Sequence, residues 1–95
     1  MNMTKILPTE TEIIGEWVVE SGRTVESVEA KRIEKLISSY LEEVAVSADG
    51  WSKLLRDPSD GRLWELTYPS SSSHGGGAPT LVCLSPYEAA AKFNA

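Results

Sequence analysis

The sequence predicts an α+β domain: an antiparallel sheet of about five strands, one long helix packed on one face, and a short C-terminal helix, in the order β-α-β-β-β-β-α. Three observations lead there. Helical periodicity runs uninterrupted over residues 24–41, with no glycine or proline inside it. Short alternating segments follow, separated by Asp-Gly turns. A Ser-Pro-Tyr-Glu string near the end reads as a helix start. Ninety-five residues, 41% of them hydrophobic, suit one domain over 1–95 and leave no room for a second.

Residues 1–11 are polar, with Pro8 and three threonines among them, and read as a flexible lead-in arm. Residues 12–20 read as one strand, with Ile13, Trp17 and Val19 on one face and Glu12, Ile14, Glu16, Val18 and Glu20 on the other. Ser21-Gly22-Arg23 is a turn. From Thr24, a candidate N-cap, the apolar residues Val25, Val28, Ile33, Leu36, Ile37, Tyr40 and Leu41 recur at helical spacing. The helix is expected to end between Ser38 and Leu41. The stretch 41–47 leads into Asp49-Gly50, a hairpin signal, and Trp51–Arg56 is the return strand. Asp57-Pro58-Ser59-Asp60-Gly61 makes a second turn. In Arg62–Tyr68 the set Trp64, Leu66 and Tyr68 is the better core face. The Ser/Gly-rich stretch 69–79 reads as an exposed or ligand-facing loop. Thr80–Leu84 reads as a short buried strand, and Ser85 with Glu88 as a capping box over a helix running to Phe93.

Nine basic and fourteen acidic residues leave a formal charge of -5. All of the excess lies in residues 1–50, with ten acids against five bases, whereas residues 51–95 carry four of each. An acidic chain repels phosphate backbones, so nucleic acid is a poor expected partner. The lone Cys83 excludes an intramolecular disulfide framework. No apolar h-region stands near the N-terminus and no run approaches the ~18–20 apolar residues of a membrane span. A cytoplasmic domain without a membrane association is therefore expected.

Residues 49–81 read DGWSKLLRDPSDGRLWELTYPSSSSHGGGAPTL. The DGW turn, the DP-x-DGR turn, the W-E-L-T-Y-P strand and the HGGG-x-P-T loop together resemble the immunity protein 27 family of bacterial polymorphic toxin systems. The T-E-I-I-G-E-W-V strand and the E-K-L-I-S-S-Y-L helix end look similar too, so the resemblance covers about residues 12–84. It implies a small, cytoplasmic, non-catalytic protein that binds a cognate toxin domain and protects the cell that makes it. Many such toxins are enzymes with basic clefts, which an acidic partner would approach quickly by electrostatic steering.

His74-Gly75-Gly76-Gly77 is the most enzyme-like string, because such a loop supplies oxyanion-hole amides in some esterases. No Gly-x-Ser-x-Gly elbow accompanies it, and His74 is the chain's one histidine. A tight turn and a close backbone approach by a partner are the two readings kept for it. One cysteine and one histidine cannot build the common zinc sites, and Asp57 and Asp60 lack calcium-loop spacing, so no metal or cofactor is expected. Those two aspartates are expected to shape their turn, and Cys83 to be a small core hydrophobe. Trp17 and Trp64 are expected in the core, while Trp51 is open between core and interface anchor.

Period-2 geometry gives one further expectation. With the helix over the face bearing Trp17, Val44, Val46 and Trp64, residues Glu16, Glu43 and Glu65 would share the bare side of the sheet. Candidate toxin contacts are thus Glu16, Glu43, Glu65, Trp51, His74, Gly75, Gly76 and Gly77. An ordinary solvated face is the competing reading, as is a hairpin ion pair of Glu65 with Arg56 or Arg62. For the whole chain, the alternative to toxin neutralisation is a cytoplasmic adaptor that binds another protein.

Overall fold

The structure, a computed structural model, describes residues 6–48, 50–68 and 78–93. Its elements are β1 (Glu12–Ile14), β2 (Trp17–Glu20), β3 (Arg23–Glu26), α1 (Val28–Ser39), β4 (Glu42–Val46), β5 (Lys53–Arg56), β6 (Leu63–Thr67), β7 (Thr80–Leu84) and α2 (Pro86–Phe93). Five strands form one antiparallel sheet in the order β1-β7-β6-β5-β4, and β2 pairs with β3 in a separate ribbon. The class is α+β as expected, with the five-stranded sheet, the long helix and the short C-terminal one in place.

The N-terminal quarter departs from the expected order. Residues 12–20 are two strands, broken at Gly15-Glu16. Gly15 is buried, its N–H donates to the Pro79 carbonyl at 2.9 Å, and Ala30 of α1 sits against its Cα. The chain there passes between helix and sheet and cannot continue straight. Ser21 (φ 52°) and Gly22 (φ 77°) then form a tight reversal with two left-handed residues, the geometry that suits a two-residue hairpin. Residues 23–26 accordingly return as a strand, although their spacing also fits a helix.

The helix starts three residues later than Thr24. Ser27 is the N-cap, and its hydroxyl accepts from the N–H of Ala30 (3.1 Å) and of Glu16 (3.0 Å). One side chain thus caps the helix and anchors the entry to β2. The helix ends at Ser39, where the Tyr40 and Leu41 amides both donate to the Leu36 carbonyl.

Register explains the core. Directly paired residues Ile13, Leu81 and Leu66 share a face with Leu55, Trp64 and Cys83. This face packs under Ile33 and Leu36 of α1. Burying each of these large side chains contributes about 1.5–3 kcal/mol. Trp64 is fully buried, as expected, and Cys83 is half-buried at the margin of the cluster.

The opposite face is not bare. Leu54, Leu63, Leu84 and Ala45 pack there with Ala89 and Phe93 of α2. The capping box forms as read: the Ser85 amide donates to Glu88 Oε1 (2.9 Å) and the Glu88 amide to Ser85 Oγ (3.1 Å). With Pro86 opening the helix, the chain turns back across the side of the sheet away from α1.

Composition made residues 1–11 a lead-in arm. Within it, Ile6 is buried in the α1-side core, and Arg62 donates to the carbonyls of Glu10 (2.7 Å) and Leu7 (3.0 Å). Arg32 holds the Glu10 carboxylate with two nitrogens, at 2.6 and 2.7 Å.

Candidate interaction surface

Glu16, Glu43 and Glu65 do not share a face. Glu16 lies between β1 and β2, outside the five-stranded sheet, and is exposed. Glu43 is paired opposite Leu55, on the α1 side, at the rim of edge strand β4. Glu65 is paired opposite Leu54 and Val82, on the α2 side. The expectation failed on two counts: β2 left the sheet, and a second helix covers the face that was expected bare.

Their ion pairs differ as well. Lys92 of α2 reaches Glu65 at 3.0 Å, and the Glu65 side chain is only 12% exposed. That lysine takes the place of the expected Arg56 or Arg62. Glu43 faces Lys53 at 3.2 Å and Glu42 faces Arg56 at 2.6 Å, both pairs exposed. Trp51 stands 67% exposed after the β4–β5 turn. Val44 and Val46, expected under the helix, are exposed along the same edge. His74, Gly75, Gly76 and Gly77 lie outside the described residues.

Trp17 is a correction. It was expected in the core and is 43% exposed, because β2 belongs to the ribbon. Ribbon register puts Trp17 opposite Glu26 and Val19 opposite Thr24, so these four share one face. Val19 is 73% exposed. Glu26 also meets Glu34 of α1, and this contact with a second carboxyl, aided by partial burial, raises the Glu34 carboxyl above its ordinary value of 4.5. Sequence alternation already placed Val19 on the face of Trp17, but as a face turned to the core. Nothing in the sequence brings Glu26 to Glu34, which depends on where the ribbon meets the helix.

Several carboxylates elsewhere have basic or structural partners. Glu10 is held below its ordinary value by hydrogen bonds from Arg32, outweighing its partial desolvation. Asp60 pairs with Arg62 at 2.7 Å, whose guanidinium also lies 5.1 Å over the Trp64 ring. Asp57 is fully buried and accepts from the Tyr40 hydroxyl (2.6 Å) and the Ser59 amide (2.8 Å), so both turn aspartates shape local structure. Among the described residues, Glu16, Glu20 and Glu26 have no ion pair. All three stand in or beside the β2–β3 ribbon.

Among the described residues no group of three or more acidic, histidine or cysteine side chains is arranged to hold a metal, and no helix is long and apolar enough to cross a membrane. No curated protein and no solved structure matches the chain. The family model of immunity protein 27 matches residues 19–85, from the end of β2 to the cap of α2 and well over half of the chain, and on that match the chain belongs to the immunity protein 27 family.

Proposed function

We propose that this chain binds a cognate polymorphic toxin domain stoichiometrically and neutralises it by occlusion, without a catalytic step of its own. The observation that carries this is the family match over residues 19–85. The net charge of -5 supports it, because a partner with a basic cleft would be drawn to an acidic chain. Exposed Glu16, Glu43 and Trp51 are the sequence-derived contacts with surface to offer. Glu65, mostly covered and tied to Lys92, would contribute through its rim, and the 74–77 loop would approach a partner by its backbone. Binding in the cytoplasm of the producing cell, with neither nucleic acid nor membrane involved, completes the proposal.

The test is co-expression with the toxin domain encoded beside this chain. The expected result is rescue of growth and a 1:1 complex that survives size-exclusion chromatography. A toxin that kills as before, with the two proteins eluting separately, overturns the proposal.

A further inference from the structure

An exposed apolar ribbon face is costly to leave open in a small domain, and this one carries both a tryptophan and a valine. Trp17 and Val19 lie side by side on it, 43% and 73% exposed. Opposite Trp17 stands Glu26, beside Glu34 of the helix. Two carboxyl groups brought together repel when both are ionised, and a cation placed between them removes that repulsion. The five ion pairs of the described chain join acids to Arg32, Lys53, Arg56, Arg62 and Lys92, and none reaches Glu26 or Glu34. The surface therefore presents an apolar platform next to two carboxyl groups that no ion pair of the described residues reaches. Aromatic anchors flanked by complementary charge are what protein interfaces concentrate their affinity in.

We infer that this ribbon face, Trp17 and Val19 with Glu26 and Glu34 at its border, is where the toxin docks, through a basic segment that sets an arginine or lysine between the two glutamates and an apolar flank on Val19. The inference rests on the immunity reading and adds the surface and the chemistry of the segment received. It moves the main contact from β4 and the sheet to the ribbon. Arginine fits best, since its planar fork can engage two carboxylates while its face stacks on an aromatic ring.

The experiment measures binding of the neighbouring gene's toxin domain to the full chain by biolayer interferometry at two salt concentrations. Variants are Val19→Arg, the double change Glu26→Lys with Glu34→Lys, and the milder Glu26→Gln with Glu34→Gln. Tyr87→Ser, 84% exposed on α2, is the control. The expected losses are about 100-fold for the first two variants and about tenfold for the glutamine pair, with the control within about twofold of the unmodified chain. The lysine pair should also flatten the salt dependence of association. Circular dichroism confirms folding, and the glutamine pair keeps the test open if the lysines disturb the helix. Toxin binding that all ribbon variants retain overturns the ribbon while leaving the immunity reading standing. An unmodified chain that binds no toxin overturns both. Variants that alter only self-association, seen by light scattering, overturn it too, because the ribbon would then be a contact between copies.

Discussion

Gly15→Ala should be among the most damaging single-methyl additions in this domain. A Cβ built at residue 15 meets the Pro79 carbonyl oxygen at 2.4 Å and the Cα and Cβ of Ala30 at 3.0 Å. Ordinary carbon contacts need ~3.5 Å or more, so the strand entry at Pro79 must withdraw by the better part of an ångström. Neither neighbour is a flexible side-chain end. Withdrawal also breaks the Gly15 amide bond to that same carbonyl, worth ~1 kcal/mol. Overpacking adds ~1–3 kcal/mol, for a total of roughly 2–4 kcal/mol. In a domain of this size that lowers Tm by roughly 10–25 °C. Gly22→Ala separates the causes, because space there is open but φ is +77°. Its cost should be the left-handed penalty alone, ~1–2 kcal/mol. Urea unfolding at pH 7 measures both. A Gly15→Ala protein within ~0.5 kcal/mol of the unmodified chain would refute the claim that helix and sheet are pinned through this residue.

Other outcomes are expected from single bonds. Ser27→Ala removes the acceptor for two amides at once and should cost about 2 kcal/mol by urea denaturation, with Ser27→Asp recovering much of it. Tyr40→Phe should cost about 1–3 kcal/mol, since Asp57 is fully buried and its second carboxyl oxygen has no hydrogen-bond partner among the described residues. Glu10 has a lowered carboxyl pKa, so its contribution is present above the ordinary value of 4.5 and is lost as pH falls through and below it. Hydrogen-exchange protection of residues 6–11, relative to the intrinsic rate at each pH, should fall over that acid range, and Glu10→Gln should show the lower protection already at pH 7. Glu34 has the opposite sign: its raised pKa makes the folded state less stable as pH climbs above 4.5. Glu34→Gln should therefore raise Tm at pH 7 and make no difference well below pH 4.5.

The legible parts of the fold were those fixed by short-range chemistry. Ser85 and Glu88 formed the box their spacing announces, Gly61 took the left-handed turn, and Trp64 and Leu66 faced the core as alternation required. The ribbon was not legible, because Val25 and Val28 satisfy a helical period while Val18 and Val25 satisfy a strand pairing. Only the double left-handed reversal at Ser21-Gly22 decides between them. Which face α2 would cover was hidden for a similar reason. Leu54, Leu63 and Leu84 are apolar residues on the second face of β5, β6 and β7, a sign that this face is buried. Its cover, α2, is only eight residues long and carries too few large apolar residues to announce a second packed layer. The surplus in residues 1–50 did not mark the charged site, since residues 16–39 hold five acids and four bases, and the Glu26–Glu34 meeting depends on a tertiary approach that composition does not encode.

The pairing of β1 with β7 carries a consequence in time. The β4–β5 and β5–β6 hairpins close over short loops and β6–β7 over a longer one, whereas Ile13 meets Leu81 only after the chain between them has been looped back. Loop-closure entropy grows slowly with length, so this long return weighs on the rate of folding more than on final stability. A nascent chain that has not yet released β7 leaves β1 with no neighbour and α1 with an unfinished floor. The sheet that α1 rests on is complete only once this last strand has been delivered.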